Sequence, residues 1–176
     1  MECYAPYRST HDIDVVVRER DFSGFRACLS EIGFAHRRTH LAKHTFKGRE
    51  AGEVDAYTDR IGVVPVEEAL FRRARRLPYG ETSVSVASLE DLLRLKLTAG
   101  REMDLADVAV LLEGRRDEVD SALVETLVGR EILRDLAPRV PELLPEEYGW
   151  QARQGLKAWL RDRGWLSPRK GKPRRR

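Results

Sequence analysis

The segment RSTHDIDVVV, residues 8 to 17, sets two aspartates, Asp12 and Asp14, at the start of an apolar run. Successive side chains of a strand point to opposite faces, so Asp12 and Asp14 share one face while Ile13, Val15 and Val17 share the other. Like carboxylates at short range raise one another's pKa and resist joint ionisation, and a divalent cation is the usual remedy. A third carboxylate is offered by GEVDAYTD, where Asp55 sits between Val54 and Ala56 and faces away from both. If that segment pairs with DIDVVV, three acids meet. Such a set suits Mg²⁺, with Mn²⁺ as the alternative, because these ions take oxygen ligands and Mg²⁺ keeps waters for substrate phosphates. Two such ions could hold a nucleophile and a leaving group in line for transfer at phosphorus.

Lys96 is the second residue that asks for an explanation. In SLEDLLRLKLTAG the apolar stripe runs Leu89, Leu92, Leu93 and Leu97, and Lys96 falls within it. Either its stem lies on the core while the ammonium reaches water, or it contacts a phosphate, with Gly100 ending the helix and Arg101 close behind.

The elements that must position these residues follow from periodicity. After the DIDVVV strand, Phe22, Phe25, Leu29 and Ile32 stand at helical spacing, with Asp21 as N-cap and Gly33 as the stop. LAKHTF and EVDAYT, separated by a turn rich in glycine and charge, predict a hairpin beside the first strand. TSVSVA predicts a further strand. Ser88, with Asp91 three residues on, predicts a capped helix start. Helices are then expected over 89–99, 104–112, 117–128 and 151–162, with a proline-broken stretch between the last two. The fold class is therefore α+β, a short mixed sheet flanked by helices with a C-terminal helical extension.

At 176 residues, 41% hydrophobic and 35% charged, the chain suits one globular domain with a small appendage rather than a disordered polymer. No run approaches the roughly 20 apolar residues of a bilayer span, and the first residues lack the apolar core of a signal peptide. The expected compartment is the cytoplasm, where Cys3 and Cys28 are free thiols. Positive charge clusters in FRRARR, residues 71 to 76, and in RKGKPRRR from Arg169, a tail expected to be disordered. Such clusters are either solvated faces or attractors of polyanions.

Taken in order, RSTHDIDVVV, VDAYTD and ASLEDLLRLKLTAGREMDLADVAVL resemble the minimal nucleotidyltransferase superfamily. Within it they are most similar to the abortive-infection type nucleotidyltransferase-like proteins of bacterial toxin–antitoxin systems. The resemblance covers residues 1 to about 112, which it marks as a nucleotidyltransferase-like domain, followed by a helical extension over 113–167 and the basic tail over 168–176. It implies transfer of a nucleoside monophosphate from a nucleoside triphosphate to RNA, such as tRNA, or to a protein hydroxyl. By that resemblance Asp12, Asp14 and Asp55 are the metal-binding and catalytic carboxylates, and Asp55 could assist deprotonation of the attacking hydroxyl. Arg8, Thr10, Lys96 and Arg101 face the nucleotide, while Asp104 and Asp107 support them from behind. A cognate toxin or antitoxin protein is an implied partner.

The Gly-Gly or Gly-Ser turn that cradles the triphosphate in that superfamily has no counterpart before Asp12. Either it lies upstream of Met1 or the chain has lost its phosphate cradle. The second case implies a catalytically inactive module of the same fold that binds nucleic acid or a partner protein. Three mutually repelling carboxylates favour the enzyme.

Two smaller candidates remain. His36, His40 and His44 recur every four residues, but along one strand they would stand roughly 13 Å apart, too far for a single zinc ion. Trp150, Trp159 and Trp165 read as anchors for the last helix rather than as a base-stacking platform.

Overall fold

The computed structural model describes residues 12–40, 42–49 and 52–167, with the side chains of 38–40 outside that set. Arg8, Thr10, Cys3, the His40 side chain and the basic tail lie outside the described residues. The chain is α+β, and it divides into two compact units between Ala87 and Ser88.

In the first unit, strands β1 (Asp12–Val16), β2 (Ala35–His40), β3 (Lys43–Lys47) and β4 (Glu53–Tyr57) form one mixed sheet in the order β1-β4-β3-β2. β1 runs parallel to β4, whereas β2, β3 and β4 are antiparallel neighbours. Helix α1 (Phe22–Glu31) connects β1 to β2 and covers the apolar face. Its Phe22, Phe25 and Leu29 pack with Val15, Val17 and Phe34 on Phe46, Val54 and Ala56. Asp21 holds the N-cap position without a side-chain hydrogen bond, and Gly33 ends the turn after the helix at φ +90°.

The rest of this unit is small. Strands β5 (Arg60–Ile61) and β6 (Val64–Pro65) make a short hairpin. Helix α2 (Glu68–Arg73) is fastened by Arg18, which reaches Glu68 at 2.7 Å and lies over the Phe71 ring at 4.0 Å. β7 (Arg75–Tyr79) and β8 (Thr82–Val86) form their own two-stranded ribbon, so TSVSVA is a strand but does not extend the main sheet.

The second unit is helical: α3 (Leu89–Ala99), α4 (Glu102–Arg115), α5 (Ser121–Val128), α6 (Arg130–Leu136) and α7 (Gly149–Asp162). Ser88 caps α3 as expected, accepting the Asp91 N–H at 3.1 Å and donating its hydroxyl to the Asp91 carboxylate at 2.9 Å. Gly100 ends α3 at φ +62°, returning its N–H to the Lys96 carbonyl at 2.9 Å. That left-handed position favours glycine, because a side chain there is sterically strained.

Leu89, Leu93 and Leu97 of α3 are buried, as are Leu105, Val108, Leu111 and Leu112 of α4. α3 packs on α4, α5 and α6, and α4 packs on α7. α3 and α4 bury their apolar sides among the later helices, so both belong to the second unit. Trp159 and Trp165 meet edge to face at 5.4 Å in this core. Trp150 is 72% exposed and anchors nothing, a correction to the expectation for the three tryptophans. No helix among the described residues is long and apolar enough to cross a membrane.

Candidate functional site

Register, not spacing alone, builds the carboxylate face. β1 pairs with β4 so that Asp12 stands beside Glu53 and Asp14 beside Asp55. β4 pairs with β3 so that Asp55 stands beside Thr45, Glu53 beside Lys47 and Tyr57 beside Lys43. The alternation of the strands sends this whole polar set to one face and Val54, Ala56 and Phe46 to the other. The sequence-predicted trio Asp12, Asp14 and Asp55 thus shares one face of two adjacent strands, β1 and β4.

Asp55 is only 2% exposed, and both of its carboxylate oxygens are engaged. Thr45 Oγ1 donates to Oδ1 at 2.6 Å, and the Lys43 ammonium forms an ion pair with Oδ2. Glu53 pairs with Lys47 at 3.1 Å. Asp14 accepts the Tyr57 hydroxyl, and its carboxyl lies above the usual carboxylate range. Loss of hydration is the main cause. The Asp12 and Asp55 charges push the same way, while the Tyr57 hydrogen bond and the Lys43 charge pull back. Tyr57 is pushed up in turn, first by burial and then by the charges of Asp14 and Asp55. Among the described residues, no lysine or arginine forms an ion pair with Asp12 or Asp14.

The donor chemistry of this face, carboxylate oxygens crowded on adjacent strands, fits a hard divalent cation. Asp12 and Asp14 offer oxygens to it, but Asp55 is already claimed by Lys43 and Thr45. Among the described residues no group of three or more His, Cys, Asp or Glu side chains is placed to hold an ion as it stands. Lys43, Thr45 and Tyr57 were not singled out from sequence. The signal was available in the alternation: Lys43 and Thr45 share a face of KHTFK, and Tyr57 stands two residues beyond Asp55.

In the helical unit, the other predicted residues converge as well. Lys96 Nζ donates to Asp107 Oδ2 at 2.6 Å and lies 3.8 Å from Asp104. Arg101 Nε donates to Asp104 at 2.6 Å. Asp104 and Asp107, three apart on α4, share a helix face and are both buried. The Lys96 side chain is 17% exposed, so neither water nor a free ammonium explains it: two carboxylates take its charge.

No family model matches this chain, and no curated protein matches it.

The histidines differ from expectation. His36 lies on β2 and His44 on β3, so they are cross-strand neighbours with Nε2 and Nδ1 3.2 Å apart. They pack under α1, where the Phe22 ring lies 4.2 Å from His44 and the Phe46 ring 4.8 Å from His36. These two rings belong to the apolar side of the sheet, away from the carboxylates.

FRRARR straddles the end of α2 and the start of β7, leaving Arg72, Arg75 and Arg76 exposed. Arg76 donates to Ser83 across the ribbon at 2.6 Å, and Tyr79 stands exposed near its turn. In the helical unit a cleft of about 310 Å³ is lined by Glu125, Arg130, Arg134, Asp162, Arg163 and Trp165. There Glu125 accepts from Trp165 at 2.9 Å and from Arg130 at 2.7 Å, which holds its carboxyl below the usual range.

Proposed function

We propose that this protein is a Mg²⁺- or Mn²⁺-dependent nucleotidyltransferase of the cytoplasm, acting through the carboxylate face of its sheet. The supporting observation is the register that sets Asp14 beside Asp55 on neighbouring parallel strands with Asp12 on the same face. Asp12 and Asp14 form no ion pair among the described residues, an excess of negative charge that a purely structural sheet face gains nothing from holding.

Asp12, Asp14 and Asp55 would hold the metal, which would neutralise triphosphate oxygens and lower the charge barrier to attack at phosphorus. An acceptor hydroxyl, on RNA such as tRNA or on a protein, forms a bond to the α-phosphorus. The bond from that phosphorus to the β-bridging oxygen breaks, pyrophosphate departs, and the hydroxyl proton is released. Asp55, with both oxygens engaged, is a poor acceptor for that proton. Tyr57 orients Asp14 through its hydroxyl. Lys96 and Arg101 are left out of this reading, since Asp104 and Asp107 take their charge.

The test is incubation with each α-³²P nucleoside triphosphate, Mn²⁺ and total RNA or cell protein. Label should enter one acceptor with the native chain and not with Asp12→Asn/Asp14→Asn, which should also lose Mn²⁺ binding while keeping its fold. Unchanged Mn²⁺ affinity in the double variant would overturn the metal assignment.

A second reading is favoured by one observation, the exposure of the arginines of α2 and β7 and of Tyr79. It makes the protein a non-catalytic module that holds nucleic acid, or a partner such as a cognate toxin or antitoxin. Salt-dependent RNA binding that Arg72→Ala/Arg76→Ala weakens and Asp12→Asn/Asp14→Asn leaves unchanged, without label transfer, would establish it over the enzyme.

A further inference from the structure

We propose that Lys43 is a built-in cation of the carboxylate face that a divalent ion must displace, so that Lys43 sets the affinity of the site for metal. This rests on the reading of Asp12, Asp14 and Asp55 as metal ligands.

Asp55 is nearly sealed from water, and one of its oxygens is committed to the Thr45 hydroxyl. The other, which a metal would need, is held by the Lys43 ammonium. A carboxylate buried this deeply requires a positive partner, and Lys43 supplies one unit of charge. The same ammonium acts on Asp14, opposing the charges of Asp12 and Asp55. Lys43 therefore occupies electrostatically the place at which the two strands bring their acids together.

The lysine is also built to leave. Its side chain is 34% exposed, and its four-carbon stem can swing the ammonium into water without moving the strand. Its cross-strand neighbour is Tyr57, whose hydroxyl is committed to Asp14, so withdrawal of Lys43 breaks no hydrogen bond of the Tyr57–Asp14 pair. An ammonium is a single charge with at most three donors, whereas Mg²⁺ or Mn²⁺ brings two charges and accepts several oxygens. Exchange of one for the other is favourable only when enough carboxylate oxygens close on the ion, which makes Asp12 and Asp14 necessary to it. Once expelled, the ammonium remains tethered beside the site, where it can meet the phosphate oxygens of a nucleotide.

The test is Mn²⁺ binding followed by the paramagnetic signal of the free ion, together with the melting temperature at rising Mn²⁺, for the native chain and Lys43→Met. Without metal, Lys43→Met should melt lower, because Asp55 loses its partner. With metal, it should bind Mn²⁺ at least tenfold more tightly and show the larger rise in melting temperature. Equal or weaker binding by a folded Lys43→Met overturns the proposal. Should that variant fail to fold, Lys43→Gln keeps a hydrogen-bond donor without the charge and carries the same expectation and the same refutation.

The outcomes separate the two proposals. Binding that is lost in Asp12→Asn/Asp14→Asn but equal in native and Lys43→Met leaves the metal site standing and removes the role of Lys43. Tighter binding by Lys43→Met with no label transfer in any variant supports Lys43 as the resident cation and removes the transferase reading. No Mn²⁺ binding by either chain overturns both.

Discussion

Two regions of this protein set a lysine against aspartates, and they differ in how the charges balance. In the helical unit, Lys96 and Arg101 meet Asp104 and Asp107, two cations against two acids, all drawn together by α3 and α4. On the sheet, Lys43 answers Asp55 and Lys47 answers Glu53, while Asp12 and Asp14 form no ion pair among the described residues. A balanced cluster holds helices together and needs nothing more. An unbalanced one is costly in the resting state and gains from an added cation. The contrast teaches that a lysine inside an apolar pattern does not by itself mark a site; the charge left over after pairing does.

The comparison can be broken at its balanced end first. Lys96→Met should lower the unfolding free energy of the helical unit by about 3 kcal/mol, because it takes from buried Asp107 the ammonium that lies 2.6 Å away, while Asp104 keeps Arg101. Denaturant unfolding followed by the emission of Trp159 and Trp165 reads this directly, and a loss too small to measure would show that the cluster is surface decoration. Adding Asp107→Asn to that variant should recover part of the loss.

On the sheet, Thr45→Val removes the hydroxyl that satisfies buried Asp55 and should cost about 1 to 2 kcal/mol. A hydrogen bond of this kind is a scaffold contact, so the loss should shrink when Mn²⁺ is present. If the loss is the same with and without Mn²⁺, Asp55 is a structural acid only.

The smallest effect has the opposite sign. The Asp14 carboxyl in the folded chain titrates above its ordinary value of 3.8. Below that value it is neutral in both folded and unfolded chains and costs nothing. As pH rises, the unfolded chain releases its proton first, so the folded state loses stability until the folded carboxyl has also ionised. Asp14→Asn should therefore melt slightly higher than the native chain at neutral pH, with the advantage vanishing in acid. Asp14 reaches solvent, which keeps the effect small. A native chain that melts higher than Asp14→Asn at neutral pH, in the absence of metal, would mean that Asp14 is compensated after all.

Much of the local structure was legible in the residues. Alternation placed Asp12 and Asp14 on one face because a strand has a period of two. Ser88 and Gly100 bounded α3 because a hydroxyl satisfies a free N–H at one end and a glycine accepts a left-handed turn at the other. The α+β order followed from strands and helices read one at a time. Pairings between distant segments were not legible. His36 and His44 read as one row of a single strand, yet the chain turns between them and brings them within 3.2 Å. Lys43 and Tyr57 passed as ordinary strand residues until β3, β4 and β1 lay side by side.

The sequence by itself determined which residues share a face and where elements begin and stop, because those properties depend on bonds and sterics within a few residues. Only the tertiary structure decided which strands are neighbours and in which register. It also decided that Lys96 is claimed by Asp104 and Asp107, and that the unit boundary falls before α3. Those outcomes depend on how apolar surface from remote segments is buried together, and on which charges that burial leaves without a partner.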